Sequence, residues 1–482
     1  MDHRRPSSSA GLHGVLQFAA QATPQPGAGR AAAGGKRGVL EPRFHIVLAC
    51  FLATVTIYVE RVGFSIAFTA MASKVGVEEG LKGAVLSAFY WGYAISQVPG
   101  GWAAQRYGGE RVLSWSFALW SAVVLLTPGS AGNTKLMAAV RVGVGFAQGF
   151  VIPAVHTVLA GWIPPSERAR AVSLTTSGLY LGSALAMLLL PSVAASLGPA
   201  ALVRLVGALG LAWLALWRLT LRSVRRRMAA ASMPLHSSAS AAANGDASGK
   251  TTVKQGRPAA TPWRAMLAHP AVWAIVISNW SFHYAFYVVM NWLPTYFEQV
   301  LHANLAAMGS VKALPYLLMF AASNAGGWAG DWLINSGRCS VAAGRKFVNT
   351  AGFWSAAAAL MLMPAARSVA AGVLFTSLSL GFAGFSRGGF SVNHMDVAPK
   401  FAGVVMGISN TAGTLSGVVG VAVTGYLLQW AGGASQPTGW YQACAAAALQ
   451  CLAASFVFIA AARGERLFGS DATVVEHAAW DR

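Results

Sequence analysis

Runs of about 20 mostly apolar residues, the length a helix needs to cross the hydrocarbon core of a bilayer, recur from one end of the chain to the other. Twelve can be marked: 43–70, 83–104, 112–130, 136–161, 170–193, 200–221, 269–297, 305–334, 342–364, 368–395, 399–429 and 439–463. They lack the ten-residue alternation of outer-membrane strands, so they predict helices rather than barrel strands. Glycines inside them, among them Gly178, Gly182, Gly413, Gly417 and Gly420, suit the close helix packing that lipid favours.

The apolar pattern breaks between Leu221 and Met266, where Ala, Ser, Gly, Lys and Arg dominate; this reads as a flexible basic linker. Six apolar segments lie on each side of it. The tetrapeptide GGWA occurs at Gly100–Ala103 and again at Gly326–Ala329, each time closing the second helix of its half, as duplicated halves would show. The expected fold is therefore all-α and membrane-embedded: twelve transmembrane helices in two pseudo-symmetric six-helix bundles. The expected divisions are an N-terminal tail (1–42), a first bundle (43–221), the linker (222–268), a second bundle (269–463) and a C-terminal tail (464–482).

Composition agrees and narrows the class. Of 482 residues, 55% are apolar and only 10% charged, and the mean hydropathy is +0.52. A soluble protein of that composition could not cover its surface with polar groups. The net charge of +20 would suggest a nucleic-acid partner in a soluble protein; here its placement explains it. Of the 35 basic residues, 26 fall in the tails and the connections after even-numbered segments and six on the opposite side. That bias puts both termini on the positive, cytoplasm-like face.

Residues 1–38 carry five Lys or Arg, several Ser and Ala, and one acid, Asp2. The composition resembles an organelle transit peptide, which would imply a plastid (chloroplast) membrane; a disordered cytosolic tail has the same composition. The four cysteines, Cys50, Cys339, Cys444 and Cys451, show neither metal spacing nor a disulfide framework and read as small packing residues. No zinc spacing, phosphate-binding loop or GxSxG elbow occurs, so no catalytic residues, enzyme activity or cofactor are expected.

Three basic residues remain, Arg61, Arg141 and Arg387, all inside predicted helices. An embedded charge costs about 2.5–3.5 kcal/mol on insertion scales, so each marks a candidate functional position. Two guanidiniums facing one cavity would bind a carboxylate or phosphate through their planar forks; a buried ion pair or a helix-end arginine reaching to the headgroups is the structural alternative. Glu60 is the natural partner for Arg61, or a cation site that titrates. Successive helix residues point about 100° apart, so one of the two faces the cavity and the other a neighbouring helix. Arg387 is a third embedded cation, in the opposite half. Asp396 with Lys400 reads as a helix-end pair. His156, His283 and His394 are candidate proton relays, although a histidine hydrogen-bonded within the bundle is the commoner case. Gln148, His283, Tyr287, Arg387 and Asn410 are candidate cavity residues.

The two halves, the central linker and the GG-x-x-x-x-R-x-G-x-x-R turn at Gly100–Arg111 resemble the major facilitator superfamily. That resemblance assigns a gate to Arg106 and Arg111 of the turn and to Asp331 of its second-half copy. The acid normal before the first arginine is replaced by Gln105. Further runs, YWGYAISQVPGGWAAQRYGGERVL, GFVIPAVHTVLAGWIPPSERAR, SGLYLGSALA, NWLPTYFEQVL and FSVNHMDVAPKFAGVVMGISNTAGTLSGVVG, look like the anion:cation symporter family. That family includes sodium-phosphate and vesicular glutamate transporters, sialin, and the plant and algal plastid anion and phosphate transporters, the branch most resembled.

The resemblance implies that Arg61 and Arg141 bind the anion and that Glu60 is the coupling acid. Gln148 replaces the second, helix 4 acid, and Leu86 and Phe282 stand where the vesicular branch has a histidine and an arginine, which fits an inorganic anion better than glutamate. Arg387 has no counterpart role. The expected function is secondary active transport of an anion, inorganic phosphate foremost, coupled to Na+ or H+ by alternating access. The alternatives are an organic-anion carrier for ascorbate or a carboxylate, and a passive anion channel. Expected partners are the small anion and membrane lipid, with no nucleic acid, and a monomeric chain.

Overall fold

The computed structural model describes residues 41–231, 260–303, 311 and 313–468; most of the expected N-terminal tail, linker and C-terminal tail lies outside them. Among the described residues the chain forms fourteen α-helices and no strand. In chain order these are α1 (Pro42–Lys74), α2 (Glu79–Tyr107), α3 (Gly109–Leu125), α4 (Thr134–Gly149), α5 (Val151–Trp162), α6 (Arg168–Leu197), α7 (Pro199–Ala231), α8 (Trp263–Ala268), α9 (Pro270–Gln299), α10 (Leu314–Asn335), α11 (Val341–Leu362), α12 (Val369–Val397), α13 (Ala402–Trp430) and α14 (Pro437–Ala461).

The all-α, twelve-segment pattern holds. The fourth segment is two helices, α4 and α5, meeting at Phe150. α8 is a single short helix ahead of α9. Among the described residues, nine spans are long and apolar enough to cross a membrane on those grounds alone. The other three are α2, α3 and α10: α3 has only 17 residues, while α2 and α10 carry Gln97, Gly100, Gly101 and Asn324, Gly326, Gly327, Asp331, polar and small positions that serve contacts between helices. α7 runs ten residues past the hydropathy boundary at 221, because Arg222, Arg225, Arg226 and Arg227 end the apolar pattern without breaking the helix.

Local chemistry sets the helix ends. Pro42, Pro270 and Pro437 open helices where their missing N–H is no loss. The side chains of Asn133, Ser340 and Ser368 accept hydrogen bonds from the backbone N–H of Leu136, Ala343 and Ala371. Gly108, with φ of 88°, makes the α2–α3 turn in a conformation that disfavours any Cβ.

The two halves repeat one packing scheme. α2 packs on α4 and α1 on α6 in the first; α10 packs on α12 and α9 on α13 in the second. The halves meet through α6 against α10 and α2 against α13, again a symmetric exchange. Each meeting depends on glycine. A Cβ on Gly101 of α2 would overlap the Gly403 carbonyl, and one on Gly327 of α10 would overlap the Ser173 side chain.

Candidate functional site

A small central cavity lies between the halves. It is lined by Tyr58 and Arg61 of α1, Tyr93 of α2, Ile152 of α5, Leu179 of α6, His283 and Tyr287 of α9, Arg387 of α12, and Met406, Asn410 and Thr414 of α13. Two cations and several hydroxyl and amide groups thus line it, and no acidic side chain among the described residues does.

Arg61 is held by aromatic faces instead of a carboxylate. Its guanidinium carbon sits 4.4 Å from the Tyr58 ring centroid, 4.3 Å from Phe89 and 5.0 Å from Tyr93. Tyr58 lies one helical turn before Arg61, on the same face; Phe89 and Tyr93 are one turn apart on α2. Ring quadrupoles stabilise a cation without neutralising its charge. Nε and Nη2 of Arg61 are buried with no hydrogen-bond partner, leaving two donors unsatisfied.

Glu60 points the other way. It is fully buried and accepts hydrogen bonds from Arg141 Nη1 and Gln148 Nε2, both at 2.8 Å. Arg141, 2% exposed, also stacks on Phe64 and Phe89 at 4.1 and 4.8 Å. The expected Glu60–Arg61 pairing is therefore replaced by Glu60–Arg141, as the 100° offset between neighbouring residues requires once Arg61 takes the cavity. Arg141 and Gln148 do not line the cavity itself. They sit beside it, and Phe89 contacts both arginines. Arg141 thus meets the structural alternative, a buried ion pair, in this conformation.

On the second half, His283, Tyr287, Arg387 and Asn410 all reach the cavity. His283 Nδ1 donates to the Asn279 carbonyl at 2.9 Å. Asn410 Nδ2 donates to Tyr93 Oη across the halves at 3.2 Å. Arg387 Nη1 donates to Tyr180 Oη of α6 at 3.2 Å. The other two histidines lie elsewhere: His156 of α5 and His394 of α12 meet edge to face across the halves at 5.5 Å, and His394 is anchored by Ser391 and Ser409.

Towards the arginine-rich face the halves are latched. Asp331 of α10 accepts the backbone N–H groups of Ala169 and Arg170, at the start of α6, at 3.2 and 2.8 Å, and the Arg170 side chain at 3.3 Å. Arg168 Nη1 donates to the Met395 carbonyl at 2.9 Å, and Asn335 to the Ser166 carbonyl at 2.8 Å. Arg345, 1% exposed, joins Asp396 at 2.9 Å and Asp331 at 3.7 Å. Asp396 thus pairs with Arg345 instead of Lys400, since Asp396 is buried whereas Lys400 is exposed. Arg106 and Arg111 are also exposed, and Arg106 stacks on Trp102 and Tyr107 at 5.6 and 5.9 Å. Of the three gate residues expected, Asp331 is the one placed between the halves. Gln105, in the acid's place, accepts a hydrogen bond from Thr261 at 2.6 Å.

The cage residues Tyr58, Phe89, Tyr93 and Tyr180 were not among the residues expected at the site. For Tyr58 the spacing of three from Arg61 was the available signal; for Tyr180 there was none, since its partner is 207 residues away in sequence.

Two six-helix halves around a central polar cavity define a transporter architecture, and comparison with known proteins agrees. The Major Facilitator Superfamily model matches residues 50–421, and the chain belongs to that superfamily, a class of membrane transporters and not of enzymes. Over 430 residues it is 46% identical to "Probable anion transporter 5" of Arabidopsis thaliana, covering 88% of this chain and 98% of that protein. It is 35% identical over 398 residues to "Sodium-dependent phosphate transport protein 1, chloroplastic" of Arabidopsis thaliana, covering 80% of this chain and 74% of that one. Identity to the "Ascorbate transporter, chloroplastic" of the same plant is 34% over 388 residues, covering 80% and 70%. Among solved structures, the proton:xylose symporter XylE bound to 6-bromo-6-deoxy-D-glucose superposes with a TM-score of 0.64 at 13% identity, covering 88% of this chain and 97% of that one; the fold is what the two share.

Proposed function

We propose that the chain is a secondary active anion transporter that carries inorganic phosphate by alternating access, coupled to Na+ or H+. The observation that carries this is Arg61: a guanidinium in the central cavity, caged by three aromatic rings, with two buried donor nitrogens unsatisfied and no carboxylate partner among the described residues. A cation in that state is completed by an anion. The relatives named as anion and phosphate transporters support the same class.

Glu60 is the coupling group in this reading. Binding of a cation or proton to its carboxylate weakens its hold on Arg141, and the freed guanidinium turns towards the same anion from beside Phe89. The latch built on Asp331 holds the arginine-rich face shut in the conformation described; opening it while the opposite side closes would carry the anion across. That face is the positive-inside, cytoplasm-like one by the distribution of basic residues. The plastid envelope is the proposed membrane, on the composition of residues 1–42.

Reconstituted uptake of labelled phosphate under imposed Na+ or H+ gradients tests the proposal. Accumulation against a phosphate gradient, abolished by Arg61→Ala in folded protein, is the expected result. Wild-type protein that accumulates ascorbate but not phosphate would make the organic-anion reading correct. Flux that never exceeds equilibrium would make the protein a channel.

A further inference from the structure

We infer that Arg387 is a second ligand for the anion, and that the site takes a divalent anion bridged between an arginine of each half. The inference rests on the anion-transport reading and adds the charge of the substrate and the element that draws the halves together around it.

The arginines within the bundle can be assigned their partners; Arg168, also buried, donates to the Met395 carbonyl at the latched face, away from the cavity. Arg141 is neutralised by Glu60 and Arg345 by Asp331 and Asp396. Arg61 and Arg387 have no carboxylate partner among the described residues, and both line the same central cavity. Arg387 is 3% exposed. Its Nε has no hydrogen-bond partner, its Nη1 donates to a neutral phenol, and its guanidinium carbon lies 4.9 Å from the Phe282 ring centroid. It therefore repeats the state of Arg61: an aromatic face, an unsatisfied donor and an unneutralised charge. Two uncompensated cations in one small space, with buried donor nitrogens on each, repel one another and are poorly solvated. An anion of charge −2 removes both defects at once, whereas a monovalent one leaves a net positive site.

The remaining lining fits an oxyanion. Tyr58, Tyr93, Tyr287 and Asn410 supply hydroxyl and amide donors around the two guanidiniums, while the Thr414 hydroxyl donates to the Asn410 carbonyl at 2.9 Å. Arg61 belongs to α1 and Arg387 to α12, so an anion held by both joins the two halves. Tyr180 Oη, from the first half, holds Arg387 at 3.2 Å, which keeps the second-half cation aimed across the interface. A dianion thereby favours the closed arrangement over any open one in which the two arginines separate, and differential binding of this kind is what shifts a conformational equilibrium.

Equilibrium binding of labelled phosphate to the purified full-length chain in detergent, with sulfate and nitrate as competitors, separates the possibilities. Wild-type protein should bind phosphate and be competed by sulfate far better than by nitrate. Arg387→Gln should weaken phosphate and sulfate at least tenfold while nitrate competition changes by less than about twofold, because one charge interaction is removed and a tenfold change needs only ~1.4 kcal/mol. Arg387→Lys should restore part of the dianion preference, since it returns the charge without the fork. If Arg387→Gln retains wild-type phosphate affinity and sulfate preference while Arg61→Ala abolishes binding, the inference is wrong and the transport reading stands. If wild-type protein binds none of the three anions, the reading falls and the inference with it. Should Arg387→Gln fail to fold, Arg387→Lys and Tyr180→Phe decide the matter: Tyr180→Phe keeps the arginine but frees its aim, and is expected to lower dianion affinity selectively. Wild-type dianion preference in both would overturn the inference.

Discussion

Removing the Glu60 carboxylate should destabilise the protein more than removing the whole Glu60–Arg141 pair. Glu60 is fully buried and takes one hydrogen bond from Arg141 and one from Gln148, both at 2.8 Å. In Glu60→Leu the Arg141 guanidinium, 2% exposed, is left charged beside Phe64 and Phe89. Breaking a buried pair from one side costs about 3–5 kcal/mol, to which the orphaned Gln148 amide adds about 1–3 kcal/mol. In Glu60→Leu/Arg141→Met no buried charge is stranded, and replacing such a pair by apolar side chains of similar volume is often neutral or stabilising. The double variant should therefore regain most of the loss.

The assay is the apparent midpoint of thermal unfolding in detergent, read by the fraction of monodisperse protein that survives heating. Glu60→Leu should show a large fall, and the double variant a much smaller one, set by the Gln148 amide that both variants leave without its partner. The same double variant should be folded but unable to couple phosphate uptake to a cation gradient. A Glu60→Leu protein as stable as wild type, or a double variant no better than the single one, would refute the pairing and with it the role of Glu60 as the group that releases Arg141.

Asp331→Asn should loosen the arginine-rich face, because it removes the charge from three inter-half hydrogen bonds, each worth about 1.5–3 kcal/mol when one partner is ionised; labelling of Ser173→Cys, in a Cys339→Ser background, by a membrane-impermeant thiol reagent should speed up at least tenfold, and an unchanged rate would remove Asp331 from the latch. Gly101→Ala should lower uptake strongly, since the new methyl group would overlap the Gly403 carbonyl, and backbone cannot swing aside. Gly83→Ala, which meets open space, should leave uptake unchanged and raise helix stability slightly, by up to about 1 kcal/mol. Equal effects of the two glycine substitutions would show that close approach of α2 and α13 is not required.

Much of this architecture follows from local pattern. Apolar runs of bilayer length, basic connections on one face and the repeated GGWA define twelve helices in two halves, because in lipid the backbone must satisfy its own hydrogen bonds and a helix does so within one segment. The same reading marks Arg61, Glu60 and Arg387 as significant, since an ionisable side chain at membrane depth is costly wherever it points. It also requires that Glu60 and Arg61 face different ways.

Which way each faces, and what each meets, was settled by packing between residues far apart in the chain. Glu60 meets Arg141, 81 positions on; Asp396 meets Arg345 and not its near neighbour Lys400; Arg387 meets Tyr180 of the other half. The sequence therefore determined the class of fold, its two halves and the set of embedded charges, because these follow from length, polarity and the cost of desolvation. Only the tertiary structure decided which charges are neutralised and which are left for a ligand, because neutralisation depends on the distance between side chains brought together by the crossing of helices. That distinction separates Arg141, paired and beside the cavity, from Arg61 and Arg387, unpaired and within it.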